Sequence, residues 1–363
     1  MSAPTVHLVV PGSLYQRTGG YLYDARMVSE MRASSREVVV HELDGAFPEG
    51  DDTARSSLER TLAALEHGAT VVVDGLAGGG LPNVLREEAH RLRIVGLVHH
   101  PLADETGLDP DAVARFHASE RAALAACRGV LVTSPFTAQR LSAFDVRPER
   151  VRVAVPGTEP AERATGPGAG EPPQLLCVAS LTPRKGHDVL VDALAAVSDL
   201  PWSCVLAGSG AYDPAHTASI RAHVRLRNLE QRVRFMGELD KERLDAEYGR
   251  STIFVLASHY EGYGMALTEA MARGIPVVST TGGAIPYTVP AEAGVLVPPG
   301  DAVRLAGALR SLLTDSDLLA SLRAGAGRVA RDLPDWSRAS RAFEAGIDTL
   351  SGMRAPDAAG LAS

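Results

Sequence analysis

The chain has 363 residues, 45% of them hydrophobic and 22% charged, with a formal net charge of −8, which describes a globular protein with a sizeable core and enough length for two α/β domains. The negative charge speaks against nucleic acid as a partner, no apolar run is long enough to span a bilayer, and no basic segment followed by an apolar run opens the chain, so a cytoplasmic protein without membrane docking is expected. Cys127, Cys177 and Cys204 are far apart and lack metal-ligand spacing, which predicts buried thiols in a reducing compartment.

In the first half, apolar runs at 6–10, 37–40, 70–73, 93–98 and 130–133 alternate with helical segments at 20–32, 53–67, 81–92, 111–126 and 135–141. This βαβ succession predicts a parallel sheet with helices on both faces. The loop between the first strand and first helix (11–23, PGSLYQRTGGYLY) carries Gly19 and Gly20, where backbone can approach a ligand closely. The fourth strand ends in VHHP (98–101). Successive strand side chains point to opposite faces, so one of His99 and His100 faces the ligand edge while the other packs or caps. The Gly- and Pro-rich run 157–173 has no apolar period and reads as a linker, 158–173, after a first domain of residues 1–157.

The alternation restarts with strands at 175–179, 203–207, 233–235, 253–256, 277–279 and 295–297, which predicts a second Rossmann-like domain, 174–336. SLTPRKG (180–186) leaves its first strand, placing Arg184 and Lys185 at the C-terminal edge of the sheet, where open α/β sheets bind ligands. A guanidinium beside a compact ammonium suits paired phosphates. The chain has only one other lysine, Lys241. Gly208-Ser209-Gly210 begins a dinucleotide fingerprint, but Asp213 stands where its third glycine belongs, so a tight turn is expected instead. The stretch 258–278 (SHYEGYGMALTEAMARGIPVV) is a strand-to-helix turn with Glu261, Gly262 and Gly264, then a helix from about Met265 to Gly274. Such a turn presents backbone N–H groups and the positive end of a helix to an anion. Glu261 and Glu269 flank that anion site and suit hydroxyl groups on either side of a diphosphate. Helices at 302–314, 318–332 and 337–350 follow, then a tail, 353–363, expected to be disordered.

The Glu261 to Glu269 stretch resembles the E-x7-E signature of retaining glycosyltransferases of family 4, which have the GT-B fold, and the likeness runs from about 175 to 300. It implies an α/β protein of two Rossmann-like domains with parallel sheets facing a central cleft, and a last helix, about 337–352 after Trp336, crossing back to the N-terminal domain. It implies a catalytic set of His99, favoured over His100, with Arg184, Lys185 and Glu261. Donor contacts would come from Gly19, Gly20, Met236, Gly237, Gly262, Tyr263, Gly264, Met265, Ala266, Leu267 and Glu269. The backbone around Met236 and Gly237 would meet the nucleobase, so the side chains do not spell out which base is read. The implied donor is a nucleotide-diphosphate sugar, with no cofactor and no metal, while the acidic segment 42–66, which has only Arg55 and Arg60 against seven carboxylates, points to a small soluble acceptor rather than a membrane lipid. Asp109-Pro110-Asp111 and Asp315-Ser316-Asp317 fit the D-x-D spacing of metal-dependent transferases, but each precedes a helix and reads as an N-cap. The fold also hosts sugar-nucleotide epimerases and phosphorylases, a non-catalytic binder stays open, and no oligomeric state follows from the sequence.

Overall fold

The computed structural model describes residues 4–354 and divides into two units, Met1–Gly157 with Pro334–Ser363, and Thr158–Leu333. In the first unit β1 (Val6–Pro11), β2 (Val38–Leu43), β3 (Thr70–Asp74), β4 (Arg93–Val98), β5 (Gly129–Val132) and β6 (Val151–Val153) form one parallel sheet in the order β2-β1-β3-β4-β5-β6. Its helices are α1 (Gly19–Ala33), α2 (Asp52–Ala63), α3 (Gly75–Gly78), α4 (Pro82–Glu88), α5 (Pro110–Ala126) and α6 (Pro135–Arg140). In the second unit β7 (Gln174–Val178), β8 (Ser203–Ala207), β9 (Val233–Gly237), β10 (Ile253–Leu256), β11 (Val277–Thr280) and β12 (Gly294–Val297) form a parallel sheet ordered β12-β11-β10-β7-β8-β9. Its helices are α7 (His187–Ala195), α8 (Pro214–Leu226), α9 (Lys241–Gly249), α10 (Met265–Ala272), α11 (Ile285–Thr288), α12 (Ala302–Thr314) and α13 (Ser316–Val329). The chain then rejoins the first unit through α14 (Trp336–Ser351).

Strands covered by helices on both faces read as unbroken apolar runs rather than alternating ones. Every residue of β3, β5, β10 and β11 is buried. Helix α14 packs against α1 and β5 of the first unit: Phe343 meets the Tyr23 ring edge-on at 6.0 Å, and Asp348 takes Arg36 at 2.7 Å.

The structure departs from the expected elements in definable ways. β6 was not expected, being three residues long and half exposed at the sheet edge, too short for a periodic signal. α2 ends at Ala63 rather than 67 because the Arg91 guanidinium covers the carbonyls of Leu62 and Leu65, both at 2.6 Å, and closes the turn. The run 158–173 has no helix or strand, yet it is bound along the second unit: Ala164 N–H donates to the Arg273 carbonyl at 2.9 Å and Thr165 N–H to that of Gly249 at 3.0 Å. All three cysteines are free and buried. No helix among the described residues is long and apolar enough to cross a membrane. Of the expected tail, residues 355–363 lie outside the described residues.

Candidate active site

Helix starts differ in whether a side chain caps them. Asp51, Asp109, Asp213, Asp240, Asp301, Asp315 and Asp335 each cap a helix by accepting a backbone N–H, which satisfies amides that the helix itself leaves unpaired. α1, α7 and α10 begin at Thr18, Gly186 and Gly264 with no side-chain cap. All three follow strands beside the points where strand order reverses, between β1 and β3 and between β7 and β10. Ligands of open α/β sheets bind at those points.

In the second unit, β7 and β10 pair only at Leu175↔Ile253 and Leu176↔Phe254, and their C-terminal loops then meet. The β7 loop ends in a turn, Pro183–Lys185, closed by Gly186 at φ +61°, where a Cβ would stand 2.2 Å from the Ala257 carbonyl oxygen. Only glycine fits there. His259 N–H donates to the Arg184 carbonyl at 2.8 Å and Arg184 Nη1 donates to the Tyr260 carbonyl at 2.9 Å, zipping the two loops together. Between them, Lys185 Nζ and Ser258 Oγ both donate to Glu261 Oε1 at 2.6 Å, and Arg184 Nη1 lies 3.7 Å from Glu261 Oε2. Glu261 is 5% exposed. Burial works to raise its carboxyl pKa, and Lys185 and Arg184, with hydrogen bonds from Lys185 and Ser258, outweigh burial and hold it below the ordinary range. Burial lowers the Lys185 ammonium further than Glu261 raises it. The expected sugar-facing carboxylate and the expected phosphate-facing lysine are thus each other's partner, as buried charges require.

The turn then reaches Gly264, at φ +89°, and α10 begins with Met265, Ala266 and the fully buried Leu267. Gly262, Tyr263 and Met265 are half-buried beside it. The Tyr263 carbonyl accepts from Thr288 Oγ1 at 2.7 Å, and burial pushes its phenol up to about 12. Glu269 stands one turn into α10, with Oε2 accepting the Tyr248 hydroxyl at 2.8 Å. Burial raises its carboxyl pKa, and the Tyr248 hydrogen bond and Arg273 only partly oppose this. Met236 and Gly237 end β9 at the same sheet edge, two strands from β7; Gly237 has φ +66° and open space at its Cβ position.

In the first unit, Gly20 lies against His99: a Cβ on Gly20 would stand 3.2 Å from the imidazole. Gly19 opens α1 with open space beside it. His99 Nε2 is 3.2 Å from Asp24 Oδ1 and 3.3 Å from Asp74 Oδ2, whereas His100 turns to Glu105 at 3.2 Å. Burial works to lower the His99 pKa, and the two carboxylates outweigh it and raise the imidazole above its usual range. Among the described residues, Asp24, Asp74 and His99 are the one group spaced as metal ligands could be, their ligand atoms all within 4.8 Å of one another. An imidazolium between two carboxylates satisfies the same charges. Asp24 and Asp74 were missed by the sequence reading. The signal for Asp24 is a charge inside the α1 stripe Tyr21, Asp24, Met27, Val28, Met31; Asp74 ends the apolar run of β3.

Residues 159–329 match the family model described as Glycosyl transferases group 1. The match spans nearly the whole of the second unit, Thr158–Leu333. The chain is 34% identical over 204 residues to the D-inositol 3-phosphate glycosyltransferase of Jonesia denitrificans, covering 51% of this chain and 48% of that one. It is 32% identical over 174 residues to the GDP-mannose-dependent alpha-(1-6)-phosphatidylinositol monomannoside mannosyltransferase of Mycobacterium tuberculosis, covering 44% and 43%. The chain therefore spans about half the length of the curated relatives it matches. Sucrose-phosphate synthase from Thermosynechococcus elongatus superimposes with a TM-score of 0.77 at 21% identity, covering 94% of this chain and 98% of that one. The fold is that of the GT-B glycosyltransferases.

Within the second unit, Arg184, Lys185 and Glu261 come together, the 262–267 turn adjoins them along the chain, and Glu269 follows within α10. Gly20 and His99 come together in the first unit. Asp109 and Asp315 cap their helices by accepting the N–H groups of Ala112 and Leu318. A Cβ on Gly208 would stand 1.9 Å from the Ala179 carbonyl oxygen, as a tight turn requires.

Proposed function

We propose that the protein is a retaining, metal-independent glycosyltransferase of family 4 that moves a sugar from a nucleotide-diphosphate sugar to a hydroxyl of a small soluble acceptor. The observation that supports this most is the Arg184, Lys185 and Glu261 cluster beside the uncapped start of α10. An incoming diphosphate takes over the two cations and the first-turn amides, and so frees the Glu261 carboxylate for a sugar hydroxyl. Glu269, already oriented by Tyr248, takes the ribose. As the bond between sugar C1 and the phosphate oxygen breaks, charge growing on the diphosphate meets fixed donors that need no reorganisation. The acceptor hydroxyl enters on the face the diphosphate leaves and passes its proton to the departing phosphate oxygen, giving a glycoside with the donor's anomeric configuration and a nucleoside diphosphate.

The relatives named above carry inositol phosphate and a phosphatidylinositol mannoside in their names, so a cyclitol or sugar hydroxyl is the acceptor chemistry to try first. A soluble acceptor is favoured by the acidic segment 42–66, where Glu42, Asp44, Glu49, Asp51, Asp52, Glu59 and Glu66 face only Arg55 and Arg60. Basic residues are what draw a protein to anionic lipid. Incubation with UDP-, GDP- and ADP-sugars and with inositol, inositol phosphate or lipid-borne acceptors, read by NMR of the anomeric proton, distinguishes transfer from epimerisation and binding. Transfer with retention is expected to survive EDTA; total loss with rescue by Mg²⁺ or Mn²⁺ would sink the metal-independent reading.

Glu269 supplies a pH test. Its raised pKa means that the ionised carboxylate is lost, as pH falls, earlier than an ordinary glutamate would lose it. Donor KM is expected to climb on the acid side from that point, and Glu269→Gln is expected to flatten the climb at a higher KM throughout. Identical KM–pH profiles for the two proteins would remove Glu269 from the donor site.

A further inference from the structure

Helix α5 buries Ala112, Phe116, Glu120, Ala123, Leu124 and Ala126, an apolar stripe interrupted by one carboxylate that is 3% exposed. Among the described residues Glu120 forms no ion pair. Its Oε1 accepts the Leu102 N–H at 2.7 Å and its carboxylate's other oxygen the Ala103 N–H at 3.1 Å. These amides open the single turn Leu102–Asp104, which directly follows His99, His100 and Pro101. A helical turn leaves its first amides without an internal partner. Pro101, in the N-cap position, provides no side-chain bond, so the cap is supplied from α5. The far end of the turn is tied by Arg140, which chelates Asp104 at 2.7 to 3.1 Å. Packing holds the arrangement tightly: a Cβ on Gly79 would stand 2.8 Å from Leu102 Cδ1 and 3.2 Å from Glu120 Cγ. Glu120 and Asp74 line one small cavity, and Asp74 is itself within 3.3 Å of His99. Burial pushes the Glu120 carboxyl up to about 7 against the two amide bonds.

We propose that Glu120 is a positioning residue for the reaction, holding the His99-bearing loop of the first unit in place through the Leu102 and Ala103 amides. The kinetic consequence rests on the transferase reading above; the positioning itself rests on geometry alone. Misplacement of a reacting group's neighbour by a fraction of an ångström is costly in rate. Glu120→Gln keeps the shape but sets an amide N–H against a backbone N–H, so kcat is expected to fall by about 10-fold or more. Nucleoside diphosphate affinity, measured by calorimetry on the full chain, is expected to stay unchanged, since the groups proposed above to hold the diphosphate, Arg184, Lys185 and the start of α10, are all in the second unit. Hydrogen exchange of the Leu102 and Ala103 amides is expected to speed up by about 10-fold while the β4 amides keep their protection. Ala103→Pro, which deletes one donor and keeps the glutamate side chain, is the second variant; it is expected to reproduce the kcat loss and to speed exchange at Leu102. Wild-type kcat or unchanged loop exchange in either folded variant, or nucleotide affinity falling in step with kcat, overturns the assignment. A wild-type protein without transferase activity counts against the function reading alone, and the exchange measurement still decides for or against Glu120.

Discussion

Lys185→Ala is expected to lower kcat by about 10²-fold or more while changing donor KM far less, because its ammonium matters most when charge has built up on the departing diphosphate. The structure adds a stability effect. Lys185 Nζ is 2.6 Å from a carboxylate that is nearly out of solvent. Removing one partner of a buried pair costs about 3 kcal/mol or more when the other charge is left behind. Ser258 still donates to Glu261, and Arg184 stands 3.7 Å away, so the loss falls toward the low end. Kinetics and a thermal melt on the same preparation separate the two effects. Lys185→Arg, with a wider and planar head group, is expected to recover stability more fully than kcat. A folded Lys185→Ala protein turning over at the wild-type rate would remove this lysine from the reaction.

Both parallel sheets were legible because strands sandwiched between helices are apolar throughout, and such runs stand out against the polar loops that punctuate them. Short elements were not: β6 and the single-turn helices α3 and α11 carry too few residues for a period. In the second unit Arg184, Lys185 and Glu261 could be picked out because each follows the C-terminal end of an apolar strand, in a loop that leads to a helix, where open α/β sheets bind ligands. What the sequence could not show is that Lys185 and Glu261 pair directly, since that depends on Gly186 and the loop it packs against Ala257. In the first unit the alternation of strand side chains left His99 and His100 equivalent. The structure separates them through Asp24 and Glu105, which come from a helix face and a loop with no fixed spacing to the pair.

Glu261→Gln is expected to part binding from transfer: nucleoside diphosphate affinity rises by roughly tenfold, about 1.4 kcal/mol, while kcat falls by about 10²-fold. The Glu261 carboxylate pairs with both cations, so a diphosphate must displace it before binding them. A neutral carboxamide of the same shape competes less well for Lys185 and Arg184, and it repels the incoming phosphates less. The same replacement removes the ionised acceptor for the sugar hydroxyl, so the tighter complex turns over poorly. Lys185 sets the sign of the pH dependence. Its pKa is already lowered by burial and held up by Glu261, so without that carboxylate it falls further and the ammonium is lost at a lower pH. The affinity gain is therefore expected near neutral pH and expected to fade as pH rises, in the variant before the wild type. Calorimetry with a nucleoside diphosphate at neutral and alkaline pH, beside turnover at saturating donor, measures both arms. Weaker nucleotide binding at neutral pH together with near wild-type kcat would show that Glu261 serves only to balance the two cations.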